Sequence, residues 1–269
     1  MDSGLDGEHV LITGASGGIG QAIAKAFDGE GCKLSLHYNN DEKGITQLIQ
    51  TLNDDCCVLK ADLTSERQTE QLFQDGISAN GRIDRLVINH GVWPEISTPV
   101  HEMELDQWDR TIGINLRAAF ICSKFYMQNL ATFPKATGSV VYIGSTAGIF
   151  GEAGHADYAI SKAGLLGLML SLKNEIVQLA YRGRVNMVAP GWTKTPMAEN
   201  SLKDETLVRS ALQTMPLRKI ALPSDIANTV LFLSSDRLAG HISGQIVTVA
   251  GGMEGRKLFD PNEIEINEI

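Results

Sequence analysis

The sequence predicts an α/β protein built on one doubly wound parallel sheet of about seven strands, with helices on both faces. Three observations predict it. Short β-like runs alternate with longer helical patterns almost from end to end. The strand runs are apolar throughout, as in Val-Val-Tyr-Ile at 140–143, which suits strands covered on both sides. Helices separate consecutive strands, and such crossovers make a sheet parallel.

In chain order, strands are expected over 9–13, 33–38, 57–61, 85–89, 139–145, 184–188 and 245–249. Helices are expected between them over 19–30, 42–52, 66–79, 107–130, 156–181 and 224–233. There is no internal repeat, heptad seam or Pro- or Ser-rich linker, so residues 1–269 read as one domain. Two stretches break the alternation. Residues 190–223 hold Pro190, Pro196, Pro216 and Pro223, half of the 8 prolines, around a helical patch. This segment reads as an irregular excursion over the carboxyl ends of the strands, on the substrate side. The tail, 256–269, alternates acidic and aliphatic residues from 260 onward and leaves two options open, a frayed end or docking on a partner subunit.

Composition excludes several classes. With 43% hydrophobic and 20% charged residues the chain is neither disordered nor low-complexity. The formal net charge of −9 speaks against nucleic acid or an anionic membrane as a partner. No run of 18 apolar residues is present to span a bilayer, and the acidic start MDSGLDGEHV has no apolar stretch of a secretion signal, so a cytoplasmic protein is expected. The cysteines at 32, 56, 57 and 122 fit no metal or redox spacing. They read as reduced thiols, with Cys56 and Cys57 on opposite faces of a strand. No metal site is expected.

After the first strand comes Thr13-Gly14-Ala15-Ser16-Gly17-Gly18-Ile19-Gly20, which opens a helix. Glycines let backbone approach a ligand, and the free N–H groups and positive end of the helix suit a pyrophosphate. The Walker lysine pattern is absent, which disfavours nucleotide hydrolysis. A second signal is Tyr158-Ala-Ile-Ser-Lys162 at the start of a long apolar helix. A spacing of four puts phenol and ammonium on one helix face, where the cation favours the phenolate. Ser145 stands at the end of the expected strand 139–145, where a hydroxyl points into the ligand crevice.

With these motifs the chain resembles the single-domain short-chain dehydrogenases/reductases, over about residues 5–255. Thr13–Gly20 fits that family's glycine loop, Tyr158 and Lys162 its Tyr-x-x-x-Lys pair, and Ser145 its serine. Asn115 fits its helical asparagine, Asp62 its adenine-contacting acid, and Pro190-Gly191 its turn after the sixth strand. The resemblance implies a Rossmann-like sheet and an NAD(P)-dependent oxidoreductase that moves a hydride between a nicotinamide and a carbonyl or secondary alcohol. It implies a catalytic set of Asn115, Ser145, Tyr158 and Lys162. Tyr158 would exchange the proton and Ser145 bind the substrate oxygen. Lys162 would hold the nicotinamide ribose and lower the tyrosine pKa, and Asn115 would support a relay water. Cofactor contacts are implied at Gly14, Ser16, Gly18, Ile19, Gly20, Tyr38, Asn39, Asp62, Leu63, Asn89, Gly91, Tyr158, Lys162, Pro190, Gly191, Thr193 and Thr195. Two departures stand out. His90 replaces the family's alanine and is expected to be a packed spacer, and Ala250 replaces a frequent aspartate.

NAD-preferring members carry an acid at the end of the second strand, whereas this strand ends His37-Tyr38-Asn39-Asn40. Asp41 is expected to start the next helix with Asn40 as its cap, which tilts the expectation toward NADP(H) over NAD(H). The substrate implied is a 3-oxoacyl group on an acyl-carrier protein or coenzyme A. A sugar, polyol or other alcohol is the alternative, and a catalytically silent nucleotide-binding scaffold is the alternative of another class. An acidic carrier protein wants a basic patch near the mouth, for which Lys135, Arg182 and Arg184 are the candidates. Val92, Trp93, Ile149, Glu152, Trp192 and Met197 are expected to shape the substrate pocket, with Trp93 and Trp192 either walling it or packing loops. The resemblance further implies a homo-oligomer, tetramer or dimer, assembled through the helices at 107–130 and 156–181.

Overall fold

The computed structural model describes residues 2–53 and 56–264. Seven strands form one parallel sheet: β1 His9–Thr13, β2 Lys33–Tyr38, β3 Cys57–Lys60, β4 Arg85–Ile88, β5 Ser139–Ile143, β6 Arg184–Pro190 and β7 Ile246–Val249. Their order is β3-β2-β1-β4-β5-β6-β7. The chain reverses direction across the sheet between β1 and β4, and such a switch point opens a crevice at the carboxyl edge.

The helices are α1 Gly18–Asp28, α2 Glu42–Ile49, α3 Glu66–Asn80, α4 Leu105–Ile112, α5 Ala118–Thr132, α6 Ala147–Phe150, α7 Ala156–Glu175, α8 Glu199–Leu202, α9 Glu205–Leu212, α10 Pro223–Ser234 and α11 Asp236–Ala239. Strand side chains alternate between the two faces. Leu11, Leu86, Val140 and Val185 pack under α3, α5 and α7, while Val10, Val87, Val141 and Val188 pack under α1, α2 and α10. Both faces are therefore apolar. Cys57 joins the first layer and Cys56 the second, as the alternation requires. Cys32 and Cys122 are buried thiols.

Several boundaries differ from expectation. β5 ends at Ile143, so Ser145 stands in the turn beyond it. β6 continues to Pro190 because β7 pairs alongside it, Pro190 opposite Val249. The helix expected over 107–130 is interrupted by a π-helical turn, Gly113–Arg117, where one extra residue swings Asn115 inward. The helix expected over 156–181 ends at Glu175 and tightens into a 3₁₀ turn, Ile176–Gln178, that buries Ile176. Asp41, not Asn40, caps α2; its carboxylate accepts from Gly44 N–H at 2.9 Å. The short α6, α8 and α11 are four residues each, too brief to show a helical period.

The expected basic patch does not exist at the mouth. Arg182 and Arg184 precede or open β6 and Lys135 precedes β5, so all three stand at the amino edge of the sheet. Arg184 is buried on Asp236, with Nη2 to Oδ1 at 2.8 Å, and Lys135 pairs with Asp84 at 2.9 Å. Arg184 and Lys135 thus fasten the sheet's lower edge, away from the cleft.

The 190–223 excursion carries a small core of its own, Val208, Ala211, Leu212, Met215 and Ile220, closed by Ile264 from the tail. Leu258 N–H donates to the Gln213 carbonyl at 2.7 Å, and the Arg218 guanidinium lies 3.7 Å from the Phe259 ring centroid. Arg209 donates to the Ile264 carbonyl. The tail thus straps the chain's own excursion as far as residue 264; residues 265–269 lie outside the described residues. Deleting 256–269 is expected to speed amide exchange in α9 by about tenfold or more while the central strands keep their protection. Unchanged exchange in α9 contradicts the strap.

Candidate active site

The glycine loop is held from below. Gly14 has φ +64°, and a Cβ there would lie 2.9 Å from His90 Cα. A Cβ on Gly20 would lie 2.2 Å from the Gly14 carbonyl oxygen. No larger residue fits at either place. Gly14 N–H donates to His37 Nδ1 at 3.0 Å, which leaves the ring proton on Nε2 to donate to the Ala61 carbonyl at 3.0 Å. Burial pushes His37 down to about 4, so the imidazole stays neutral and keeps this geometry near neutral pH. Asn89 Nδ2 donates to the Gly14 carbonyl at 2.9 Å. Gly17, the N-cap of α1, has no side chain to offer the first-turn N–H groups, which remain for an anion.

His90 is a buried spacer, its Nδ1 2.9 Å from Thr13 Oγ1, and burial lowers it to about 3. Its Nε2 is buried without a partner.

Tyr158 and Lys162 stand one turn apart on α7. Lys162 Nζ donates to the Ile143 carbonyl at 3.0 Å and lies 5.8 Å from the Tyr158 ring centroid. The amine is buried and forms no ion pair among the described residues, and burial lowers it to about 8. Tyr158 is raised by burial; the Ser145 hydroxyl, hydrogen-bonded to the phenol, opposes this, and Glu152 adds to it. The Ser145 hydroxyl favours the phenolate, and the Lys162 ammonium spends one of its three N–H donors on Ile143.

Asn115 Nδ2 donates to the Val92 carbonyl and to Ser161 Oγ, both at 3.0 Å, and its Oδ1 accepts from Val92 N–H at 2.8 Å. The side chain ties the loop after β4 to α7.

Ser145, Tyr158 and Lys162 border one cleft of about 1040 Å³ along the carboxyl edge, and Asn115 does not line it. Of the expected cofactor contacts, Gly14, Ser16, Gly18, Ile19, Gly20, Asn39, Asp62, Leu63, Asn89, Gly91, Tyr158, Lys162, Pro190, Gly191, Thr193 and Thr195 line it. Tyr38 does not: it packs into the second apolar layer under Lys60, while His37 and Asn39 on either side of it face the cleft. Ser145, Trp93, Trp192, Val92, Glu152 and Met197 line the cleft, and Ile149 does not. Trp192 also packs on the small core of the excursion. Asp62 Oδ1 accepts from Thr64 N–H at 2.9 Å, which fixes the turn after β3. His37, Thr146, Asp109 and Arg110 are cleft residues that the sequence reading missed. His37 sat in an apolar strand and had a signal in the two-residue alternation with Asn39. Asp109 and Arg110, as charged positions on a helix, had none. The glycine cradle, the anion-ready start of α1 and a cleft spanning both halves of the carboxyl edge fit a dinucleotide.

The comparisons agree with this geometry. The family described as enoyl-(acyl carrier protein) reductase matches residues 14–254. The chain belongs to the short-chain dehydrogenase/reductase family. The 3-oxoacyl-[acyl-carrier-protein] reductase of Synechocystis sp. is 33% identical over 253 residues, 93% of this chain and 98% of the relative. That of Rickettsia felis is 37% identical over 252 residues, with the same coverage. Among solved structures, a glucose/ribitol dehydrogenase from Brucella melitensis matches with TM-score 0.85 and 31% identity, covering 95% of this chain and all of the other. Levodione reductase matches with TM-score 0.86 and 29% identity, covering 92% and 98%. As a short-chain dehydrogenase/reductase the chain is an oxidoreductase of the nicotinamide-dependent kind. Its strap, 256–264, lies beyond the family match.

Lys162→Met removes a desolvated ammonium and is expected to raise stability at pH 7 by about 1–3 kcal/mol in urea unfolding. Between about pH 8 and 10.5 the unfolded chain holds a proton that the folded chain has released, so the parent gains stability with rising pH and the gap closes. A variant less stable than its parent at pH 7 contradicts the uncompensated charge.

Proposed function

We propose that this chain is an NADP(H)-dependent carbonyl reductase, acting reversibly on a ketone or secondary alcohol, with a 3-oxoacyl thioester as its substrate class. The observation that carries the reaction is the convergence of Ser145, Tyr158 and Lys162 at the mouth of the glycine-lined cleft. The single sheet serves as one dinucleotide-binding and catalytic domain.

When bound, the nicotinamide supplies or takes up the hydride. Gly14, Ser16, Gly18, Ile19 and Gly20 would hold the dinucleotide's pyrophosphate, Asp62 and Leu63 its adenine, and Asn89, Gly91, Pro190, Gly191, Thr193 and Thr195 the remainder. Lys162 would donate to the ribose hydroxyls with the N–H groups not given to Ile143. The Ser145 hydroxyl donates to the substrate oxygen, and the Tyr158 phenol gives that oxygen its proton in reduction. Burial keeps the phenol protonated near neutral pH, which suits it to the role of acid. Asn115 acts through Val92 and Ser161, holding the cleft wall and α7 in register. Tyr158→Phe is expected to lower kcat by about a hundredfold or more while NADPH still binds, read by fluorescence titration alongside turnover. Turnover near the parent's rejects the assignment.

The NADP(H) preference rests on the end of β2. Asn39 and Asn40 line the cleft without charge, and the Asp41 carboxylate is engaged as the cap of α2. Asp41 also lines the cleft, but it stands two residues beyond Asn39 and its Oδ1 is held by Gly44 N–H, so the strand end itself offers a 2′-phosphate no acid. Kinetics with both cofactors are expected to favour NADPH, and Asn39→Asp to shift the kcat/KM ratio toward NADH by about tenfold. A parent that prefers NADH sinks the preference.

The substrate class rests on the 3-oxoacyl reductases among the relatives. One observation favours a second reading, a sugar, polyol or alcohol dehydrogenase: the candidate basic residues stand at the far edge of the sheet, so none of them receives an acidic carrier protein at the mouth. We further take the protein to be a cytoplasmic homo-oligomer, tetramer or dimer. Exposed Phe120 on α5 and Leu166 and Leu170 on α7 support assembly through these helices.

A further inference from the structure

The cleft wall beside the Tyr158 phenol is an aromatic stack. The Trp93 indole meets the Tyr158 ring edge-on, centroids 4.7 Å apart, and lies against the His155 ring at 4.0 Å. Both of its supports are anchored. Tyr158 belongs to α7, and His155 is the N-cap position of that helix. The loop carrying Trp93 is tied to the loop carrying His155 by Thr98 N–H donating to the Gly154 carbonyl at 2.8 Å. Asn115 holds Val92, the residue before Trp93, by two hydrogen bonds. These ties fix the backbone that carries the indole, and the two ring contacts oppose its displacement.

His155 itself is 7% exposed, and its Nδ1 is buried without a partner. Asp157, fully buried two residues on, likewise has an unpartnered Oδ1, its Oδ2 being held by Thr111 at 2.8 Å and Gln107 at 3.2 Å. Both side chains are buried, so the indole rests on protein interior rather than on a solvated rim.

We infer that Trp93, clamped by His155, is the specificity-determining wall of the substrate pocket and restricts the chain to substrates with a short, compact substituent on the reacting carbon. This deepens the carbonyl-reductase reading and rests on it. The phenol must touch the substrate oxygen, so the indole packed on that phenol limits what the neighbouring carbon carries. His155 acts through the indole and is a positioning residue.

The test is a chain-length series, four to ten carbons, prepared both as 3-oxoacyl N-acetylcysteamine thioesters and as methyl ketones, with NADPH. The parent is expected to lose about tenfold or more in kcat/KM from the shortest to the longest member, through KM more than kcat. Trp93→Ala is expected to flatten or invert that trend, Trp93→Phe to relax it in part, and His155→Ala to follow Trp93→Ala more weakly. His155→Phe, which keeps the stacked ring, is expected to restore the parent's profile. A parent indifferent to length, or a Trp93→Ala and Trp93→Phe pair that lowers all members by the same factor, overturns the inference while leaving the reductase reading intact. Turnover of the ketones alone defeats the thioester substrate but not the wall. Turnover of neither series defeats the reductase reading and the inference with it.

Discussion

An ammonium group buried without an ion pair among the described residues governs this site. Lys162 Nζ donates to the Ile143 carbonyl, at the point where β5 ends. Burying such a charge is costly, and a fold keeps it only where something else requires it. The requirement is visible in the surroundings. The end of β5 brings Ser145 to the phenol, the π turn brings Asn115 to the loop after β4, and a Cβ on Gly91 would lie 3.2 Å from both Lys162 Nζ and Asn115 Oδ1. Gly91 leaves the amine its space, and the amine in turn stands open to the cleft.

The phosphate side follows a parallel logic with a neutral group. His37 accepts from the glycine loop on one nitrogen and donates to the end of β3 with the other. Three strand ends are thereby locked into one cradle. Protonating His37 would turn its acceptor into a donor and release Gly14, and burial keeps that protonation far below neutral pH.

Much of this was legible because it depends on local spacing. Apolar runs of strand length gave all seven strands, and the i, i+4 rule put Tyr158 and Lys162 on one face. What escaped depends on tertiary surroundings. Tyr38 and Asn39 are adjacent, and only the sheet decides which faces the crevice; the two-residue alternation gave it to His37 and Asn39. Arg184 looks like a surface charge in sequence, yet it opens a central strand and is neutralised by Asp236 from the far end of the chain. That Lys162 donates to the Ile143 carbonyl could not be read from spacing, which says nothing of where an amine donates its hydrogen bond. The strap of 256–264 carries no periodicity, and its anchor, Ile264, is recognisable only once α9 is in place.

The account turns on the state of that one amine. Its most direct test is a ¹⁵N NMR titration of lysine side chains without cofactor, with the Lys162 signal assigned by its loss in Lys162→Arg. The account predicts a titration near 8 for Lys162 and displacement of that signal when NADP⁺ is added. A Lys162 that titrates with the exposed lysines and does not respond to NADP⁺ would contradict it.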